Sequence, residues 1–296
     1  MGHEVKAAQV NRDDLRAEIK AKYTEVALEP ERGFHFHTGR PLATMLGYPV
    51  ATVDWLPPST VASFAGTGNP FSMGELRPGE TVLDLGCGAG FDTLQAARQV
   101  APKGRVIAID MTEAMLAKTW AAAQQLQLPN VETRLGYAEQ LPVDDASVDV
   151  VISNGVINLT PDKAAVMKEV WRVLKPGGRF QIADIAVMKE VPQSAKDDIN
   201  LWSSCIAGAL LHDEWRWLMD ELGFRDVRWG VWRSTSSPAP FTSRMPQSSI
   251  RVGPPSAASS VNAGQAARRH RSPRSSLRAA RVTWRAMNCT VAQWRK

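Results

Sequence analysis

Thr81-Val-Leu-Asp-Leu-Gly-Cys-Gly-Ala-Gly90 decides the fold. Val82, Leu83 and Leu85 form a short apolar run interrupted by Asp84, glycines follow at 86, 88 and 90, and Thr93-Leu-Gln-Ala-Ala-Arg-Gln resumes a helical pattern. The order is strand, glycine-rich turn, helix. Glycines at alternate positions let the backbone turn tightly at the carboxyl end of a strand and approach a ligand where a Cβ would collide. Such a turn suits a nucleotide-like cofactor. It does not fit the NAD fingerprint Gly-x-Gly-x-x-Gly/Ala, because counting from Gly86 the last position falls on Phe91.

Two neighbouring stretches extend the pattern. Arg105-Val-Ile-Ala-Ile-Asp110 predicts a second buried strand that ends in a carboxylate, placed to accept hydrogen bonds from both hydroxyls of a ribose. Gly136-Tyr-Ala-Glu-Gln-Leu-Pro142 then leads into Ser147-Val-Asp-Val-Val-Ile-Ser-Asn154, a third strand. The acid-x-Gly-x-Gly-x-Gly pattern from Asp84 to Gly90 resembles motif I of S-adenosylmethionine (SAM) methyltransferases. That resemblance implies SAM as cofactor, with the residues at Ala138 and Glu139 bordering the adenine ring.

The chain has 296 residues and 44% apolar content, enough for one large α/β domain with appendages. Met1-Gly-His-Glu-Val-Lys has an early acid and no apolar core behind it, so no signal peptide is expected. No apolar run approaches the roughly 18 residues of a membrane span. Three cysteines, at 87, 205 and 289, form no disulfide framework and point to a reducing cytoplasm. The net charge of +5 is unevenly spread. Residues 231–296 hold twelve of the 35 bases and no acid, which leaves 23 bases against 30 acids in the first 230 residues.

Along the chain, Asn11 to Ala27 carries Leu15, Ile19, Tyr23 and Val26 at near-helical spacing, with Asn11 as cap. His35 and His37 alternate as strand neighbours would, but with no third ligand in view they make no metal site. Ser63-Phe-Ala-Gly-Thr-Gly-Asn-Pro-Phe71 is a glycine-rich loop placed to lie over a cofactor. A helix is expected from Thr112 to about Gln127, and another from a Thr160-Pro161-Asp162 start to Leu174, where Lys175-Pro-Gly-Gly178 stops it. Arg179 to Asp184 is the next strand. An apolar helix follows at Leu201 to Leu211, then one at Asp213 to Leu222 closed by Gly223, and a strand at Asp226 to Trp232. Strands alternating with helices imply a parallel sheet with a ligand at its carboxyl edge. The expected fold is α/β: a Rossmann-like, doubly wound, mostly parallel sheet, with a helical N-terminal cap over residues 1–72, the methyltransferase domain at 73–230 and a disordered basic tail at 231–296.

Three stretches make the resemblance more specific: Val151-Ile-Ser-Asn-Gly-Val-Ile-Asn-Leu-Thr-Pro-Asp-Lys163, Arg172-Val-Leu-Lys-Pro-Gly-Gly178 and Ser204-Cys-Ile-Ala-Gly-Ala-Leu210. Together with Gly104 to Thr112 and Gly66-Thr-Gly-Asn-Pro70, they resemble arsenite methyltransferases over roughly Leu42 to Trp229. The resemblance implies cofactor binding by Asp84, Gly86, Gly88, Gly90, Asp110, Met111, Ala138, Glu139 and Asn154. Its acceptor is trivalent arsenic, which favours soft thiolate ligands. Here the chain departs from the family. Thr67 and Gly155 stand where many members have cysteine, no cysteine precedes Cys87, and only Cys205 matches an arsenic-binding position. Cys87, inside the glycine turn, reads as a small buried residue. Arsenic already carrying small-molecule thiols such as glutathione could still be held by Cys205.

The tail is rich in Ser, Arg, Ala and Pro, a composition that cannot easily bury a core. Its Arg268-Arg-His-Arg271 cluster offers phosphate contacts, but only Trp284 and Trp294 are available for stacking, so nucleic acid is not the expected partner. The abrupt end of the resemblance near Gly230 points to a shifted reading frame, which would leave the sheet without its last antiparallel strand and expose an edge. Three readings result: an arsenite-type methyltransferase, a methyltransferase for a small organic acceptor, or a non-catalytic SAM-fold protein with a nucleic-acid-binding tail. All three place the protein in the cytoplasm, away from membranes.

Overall fold

In the computed structural model the described residues are 10–34, 36–196, 199–202, 207–232 and 287–295. The first helix, α1 (Arg12–Leu28), starts where the Asn11 side chain accepts the Asp13 and Asp14 N–H groups at 2.9 and 3.3 Å. A cap of this kind is worth about 1 kcal/mol. Leu15, Ile19 and Val26 form its buried face. Three short helices follow: α2 (Gly39–Met45), α3 (Val50–Trp55) and α4 (Pro58–Ala62). Leu42, Val53 and Val61 from these helices, with Leu46 and Leu56 just after the first two, join Phe64, Phe91 and Leu94 in one apolar cluster, which fastens this cap to the rest of the fold.

The sheet is built from β1 (Thr81–Leu85), β2 (Arg105–Asp110), β3 (Val131–Leu135), β4 (Val148–Asn154) and β5 (Leu174–Val187), with β6 (Leu210–Leu211), β7 (Arg225–Trp232) and β8 (Met287–Arg295). Its order is β3-β2-β1-β4-β5-β8-β7, with β6 pairing β5. The β3-β2-β1-β4-β5 path is parallel throughout, while β8 runs antiparallel to both β5 and β7. Helices α5 (Phe91–Val100), α6 (Glu113–Gln125) and α7 (Lys163–Val173) make the crossovers, and α8 (Gln193–Lys196), α9 (Ile199–Trp202) and α10 (His212–Glu221) follow β5. β1 lies between β2, which continues the chain to one side, and β4, which continues it to the other. That reversal is where an open α/β sheet leaves a crevice at its carboxyl edge. No described helix is long and apolar enough to cross a membrane.

Several expectations change. β3 was not foreseen; it is a half-exposed edge strand whose Glu132 and Arg134 break the apolar pattern. α7 starts two residues later than Pro161, because Asp162 is the cap, accepting the Ala165 N–H at 3.0 Å. Thr160 instead donates its hydroxyl to the Ile157 carbonyl, closing the 3-10 turn Ile157–Leu159. Within the helix expected at 201–211, Leu201 and Trp202 close α9, residues 203–206 lie outside the described residues, and Leu210 and Leu211 are in a strand that pairs with Ala186 and Val187. The sheet does not lack its closing strand. β8, from the far end of the basic tail, lies between β5 and β7, so β5 is not an exposed edge. The cluster at Arg268 to Arg271 lies outside the described residues.

Candidate cofactor cleft

The glycine turn is fixed to its neighbour strand before any side chain acts, since the Gly86 and Cys87 N–H groups both donate to the Ile109 carbonyl, at 2.8 and 2.9 Å. Gly86, Gly88 and Gly90 all have positive φ. They serve different ends. A Cβ on Gly86 would collide with Val156, and one on Gly90 would lie 3.0 Å from Thr119 Oγ1, whereas one on Gly88 would meet no atom within 4 Å. Gly88 is therefore a bare ledge facing a cleft of about 1050 Å³, open mouth included.

Asp110, at the tip of β2, accepts the Gly88 N–H on one oxygen and the Thr112 N–H on the other, both at 2.9 Å. Burial raises its pKa, and these bonds oppose the rise. Its remaining lone pairs leave room for a diol. Asp84 is buried and accepts the Thr93 hydroxyl at 2.6 Å. Burial, then the charge of Asp92, pushes it up to about 8. Asp92, in the first turn of α5, accepts the Tyr48 hydroxyl at 2.7 Å and the Asn154 amide at 2.9 Å, and burial raises it to about 6.

Asn154 lines the cleft with its amide already engaged. Its oxygen accepts the Thr67 and Gly68 N–H groups at 2.8 and 3.1 Å, and its nitrogen faces Tyr48, Asp92 and the Gly68 carbonyl. The amide thus clamps the glycine-rich loop onto the end of β4. Gly66 is required there, because a Cβ would sit 2.5 Å from the Asn154 amide nitrogen. Thr67 donates its hydroxyl to the Ala183 carbonyl at 3.0 Å.

α1 forms one wall. Its Arg16, Ile19 and Tyr23 line the cleft beside Met111, Ala138 and Glu139. Arg16 pairs with Glu139 at 3.2 Å and stacks 4.9 Å from the Tyr137 ring centroid. On the same helix Arg12 reaches Asp162 at 3.3 Å and Lys20 reaches Glu113 at 2.8 Å. Four acids (Asp84, Asp92, Asp110 and Glu139) and one base, Arg16, line the cleft among the described residues.

Of the positions expected from sequence, Asp84, Gly86, Gly88, Asp110, Met111, Ala138, Glu139 and Asn154 come together on the cleft. Gly90 instead caps α5, behind the lining. His37 is exposed, and Cys205 and His35 lie outside the described residues. Cys87 is buried within the turn, where burial and the Asp110 and Asp84 carboxylates push its thiol up. Arg16, Tyr48 and Asp92 were not foreseen. Arg16 gave a signal in its i, i+4 spacing from Arg12 and Lys20, but Tyr48 and Asp92 meet only through tertiary folding.

The family model for a methyltransferase domain matches residues 76–223, half of the chain. The chain belongs to the methyltransferase-domain family. Within it, the sequence is 46% identical to the arsenite methyltransferase of Halobacterium salinarum over 162 residues, 55% of this chain and 41% of that one. The methyltransferase domain is also similar to a solved structure, the arsenic(III) S-adenosylmethionine methyltransferase of Chlamydomonas reinhardtii, with TM-score 0.53, 34% identity and 65% of each chain covered. A demethylmenaquinone methyltransferase of Lactococcus lactis is 42% identical over 107 residues, 36% of this chain and 42% of that one. The chain thus spans about two-fifths of the length of these curated relatives. SAM is the cofactor of this family. The cleft suits it: a ledge open at Gly88, a carboxylate at Asp110, and an excess of acids for a ligand of net positive charge.

Proposed function

We propose that this chain is a SAM-dependent methyltransferase of the arsenite type, transferring a methyl group to trivalent arsenic that carries small-molecule thiols. The observation that supports methyl transfer is the cleft itself, where the open Gly88 ledge, Asp110 and three further acids meet at the reversal point of the sheet. The acceptor follows from the likeness to arsenite methyltransferases. In this reading Gly86 and Gly88 let the backbone approach the cofactor, Asp110 takes its ribose, Met111, Ala138 and Glu139 border its adenine, and Asp84 faces its cationic end. Asn154 acts one step back, by holding the loop from Gly66 to Gly68 at the cleft wall.

SAM supplies a methyl group already activated on a sulfonium. The protein's share is alignment, worth up to roughly 7 to 11 kcal/mol in well-oriented systems. Trivalent arsenic attacks with its own lone pair and loses no proton, so no general base is needed. Glu139, a conceivable base, is instead tied to Arg16. Cys205 is the thiolate proposed to hold the arsenic, with glutathione or a similar thiol completing its shell.

The second reading, a small organic acceptor, is favoured by one feature. Thr67 and Gly155, the positions where the resemblance implies cysteines, are neighbours, and Gly155 lines the cleft: a Cβ on Gly155 would lie 3.0 Å from Thr67 Cγ2. That pair brings no sulfur. The two readings separate in one assay, methyl transfer from labelled SAM to arsenite with glutathione, comparing the wild type with Cys205→Ser. Arsenic methylation that is lost in the variant supports the first reading. SAM binding with no arsenic product overturns it in favour of the second.

A further inference from the structure

The cleft is more acidic than holding one carboxylate for a ribose requires. Asp84 and Asp92 are both buried and both line it, and the hydrogen bonds they receive come from neutral groups: the Thr93 and Tyr48 hydroxyls and the Asn154 amide. Other charged or titratable groups around the pair come from several elements. Asp110 lies at the tip of β2, Cys87 in the turn, Tyr48 after α2, and Glu139 beside Arg16 of α1 across the cleft. Lys118 of α6 stands behind the lining, bonded to Ser63 Oγ at 2.9 Å. Arg16, the base among the described lining residues, is committed to Glu139. Two carboxylates buried together, with no cation bonded to either among the described residues, cannot both stay ionised cheaply. Burial and the Asp92 charge accordingly hold Asp84 at about 8.

We propose that the buried Asp84–Asp92 pair makes the cleft a sensor of cofactor charge, binding the cationic methyl donor with expulsion of a proton and the neutral demethylated product without. The inference rests on the SAM assignment and goes beyond it. SAM carries a sulfonium and an ammonium against one carboxylate, a net charge of +1. S-Adenosylhomocysteine has lost the sulfonium charge and is net neutral. When the cation enters, the Asp84 carboxyl releases its proton to solvent and the resulting carboxylate balances the cation. When the methyl group leaves, sulfur becomes neutral, and the pair takes a proton back from solvent. By linkage, the donor then gains affinity relative to the product as pH rises, and loses it as pH falls.

The test is titration calorimetry of the full chain with SAM and with S-adenosylhomocysteine, in buffers of different ionisation enthalpy between pH 6 and pH 9. At pH 7 SAM should release roughly 0.5 to 1 proton, and at pH 9, with Asp84 already ionised, close to none. SAM affinity should rise at least about tenfold from pH 6 to pH 8, while that of S-adenosylhomocysteine changes less than about twofold. Asp84→Asn should flatten the SAM profile. Should that variant fail to fold, as judged by circular dichroism, the wild-type series and its midpoint near the Asp84 value decide the matter. SAM binding with no buffer-dependent heat overturns the proposal, and so does equal proton release with both ligands. Failure of SAM to bind at all overturns the cofactor assignment and the proposal together.

Discussion

Gly86 and Gly88 share a left-handed backbone two residues apart, yet a methyl group on each meets different surroundings. At Gly86 an alanine adds a collision with Val156 to the backbone penalty, so Gly86→Ala should cost about 3 kcal/mol or more and lower Tm steeply. At Gly88 the penalty is the backbone alone, about 1 to 2 kcal/mol, because the new methyl points into open space. Gly88→Ala should therefore stay folded in thermal melts and lose SAM affinity by tenfold or more in equilibrium binding. The Thr67 and Gly155 positions differ in the same way. Thr67→Cys gives up one hydroxyl bond to Ala183 and should cost about 1 kcal/mol, whereas Gly155→Cys must also adopt φ +73. If arsenic is the acceptor, Thr67→Cys should raise the transfer rate to arsenite; an unchanged rate in the labelled-SAM assay would argue for the organic acceptor.

At the scale of elements, α1 illustrates which ion pairs matter. The Arg12 and Lys20 bridges join half-exposed side chains, so removing either should cost no more than about 0.5 kcal/mol. Glu139 is different, with 11% of its side chain exposed against 28% for Arg16, and Arg16→Ala leaves that carboxylate desolvated without its partner. A loss of about 1 to 2 kcal/mol in denaturant unfolding is expected, with a weaker cofactor complex because α1 is a wall of the cleft. The β1, turn and α5 unit was legible in the sequence because its signals are local: an apolar run, alternate glycines and a helical period. β3 was not, because an edge strand needs few apolar residues. The start of α7 was misplaced by two residues because Thr160 and Asp162 both offer capping oxygens, and only the 3-10 turn before them decides which is used. Of the cleft, the backbone ledge and Asp110 could be read from spacing. The contacts of Tyr48, Asp92 and Asn154 join the loop after α2 to α5 and β4, and no local pattern announces them.

Across the whole molecule, buried acids tie stability to pH. Burial raises Asp84 to about 8 and Asp92 and Asp184 to about 6, so the folded chain holds these protons more tightly than the unfolded one does. Their stabilisation is complete below the ordinary carboxylate value and disappears as pH rises through the folded values. The cofactor-free protein should therefore lose several degrees of Tm between about pH 5 and pH 8.5, a decline that saturating SAM reduces. Lys163, lowered by burial to about 8, acts in the opposite sense, and only above that pH. The far end of the chain matters as much: removing residues 287–296 strips β8 from both β5 and β7, and calorimetry should show Tm lower by about 10 °C or more, with aggregation. β8 was illegible because its pairing partners lie far back in the sequence, beyond a polar stretch that carries no strand signal. Its placement has a practical consequence. Trp232 and Cys289 are register partners, so the chain leaves the sheet and returns to it at neighbouring points. Met287–Arg295 is thus held by strands that come from earlier in the chain, so a single backbone break between Trp232 and Met287 would leave the C-terminal piece hydrogen-bonded to the rest of the sheet.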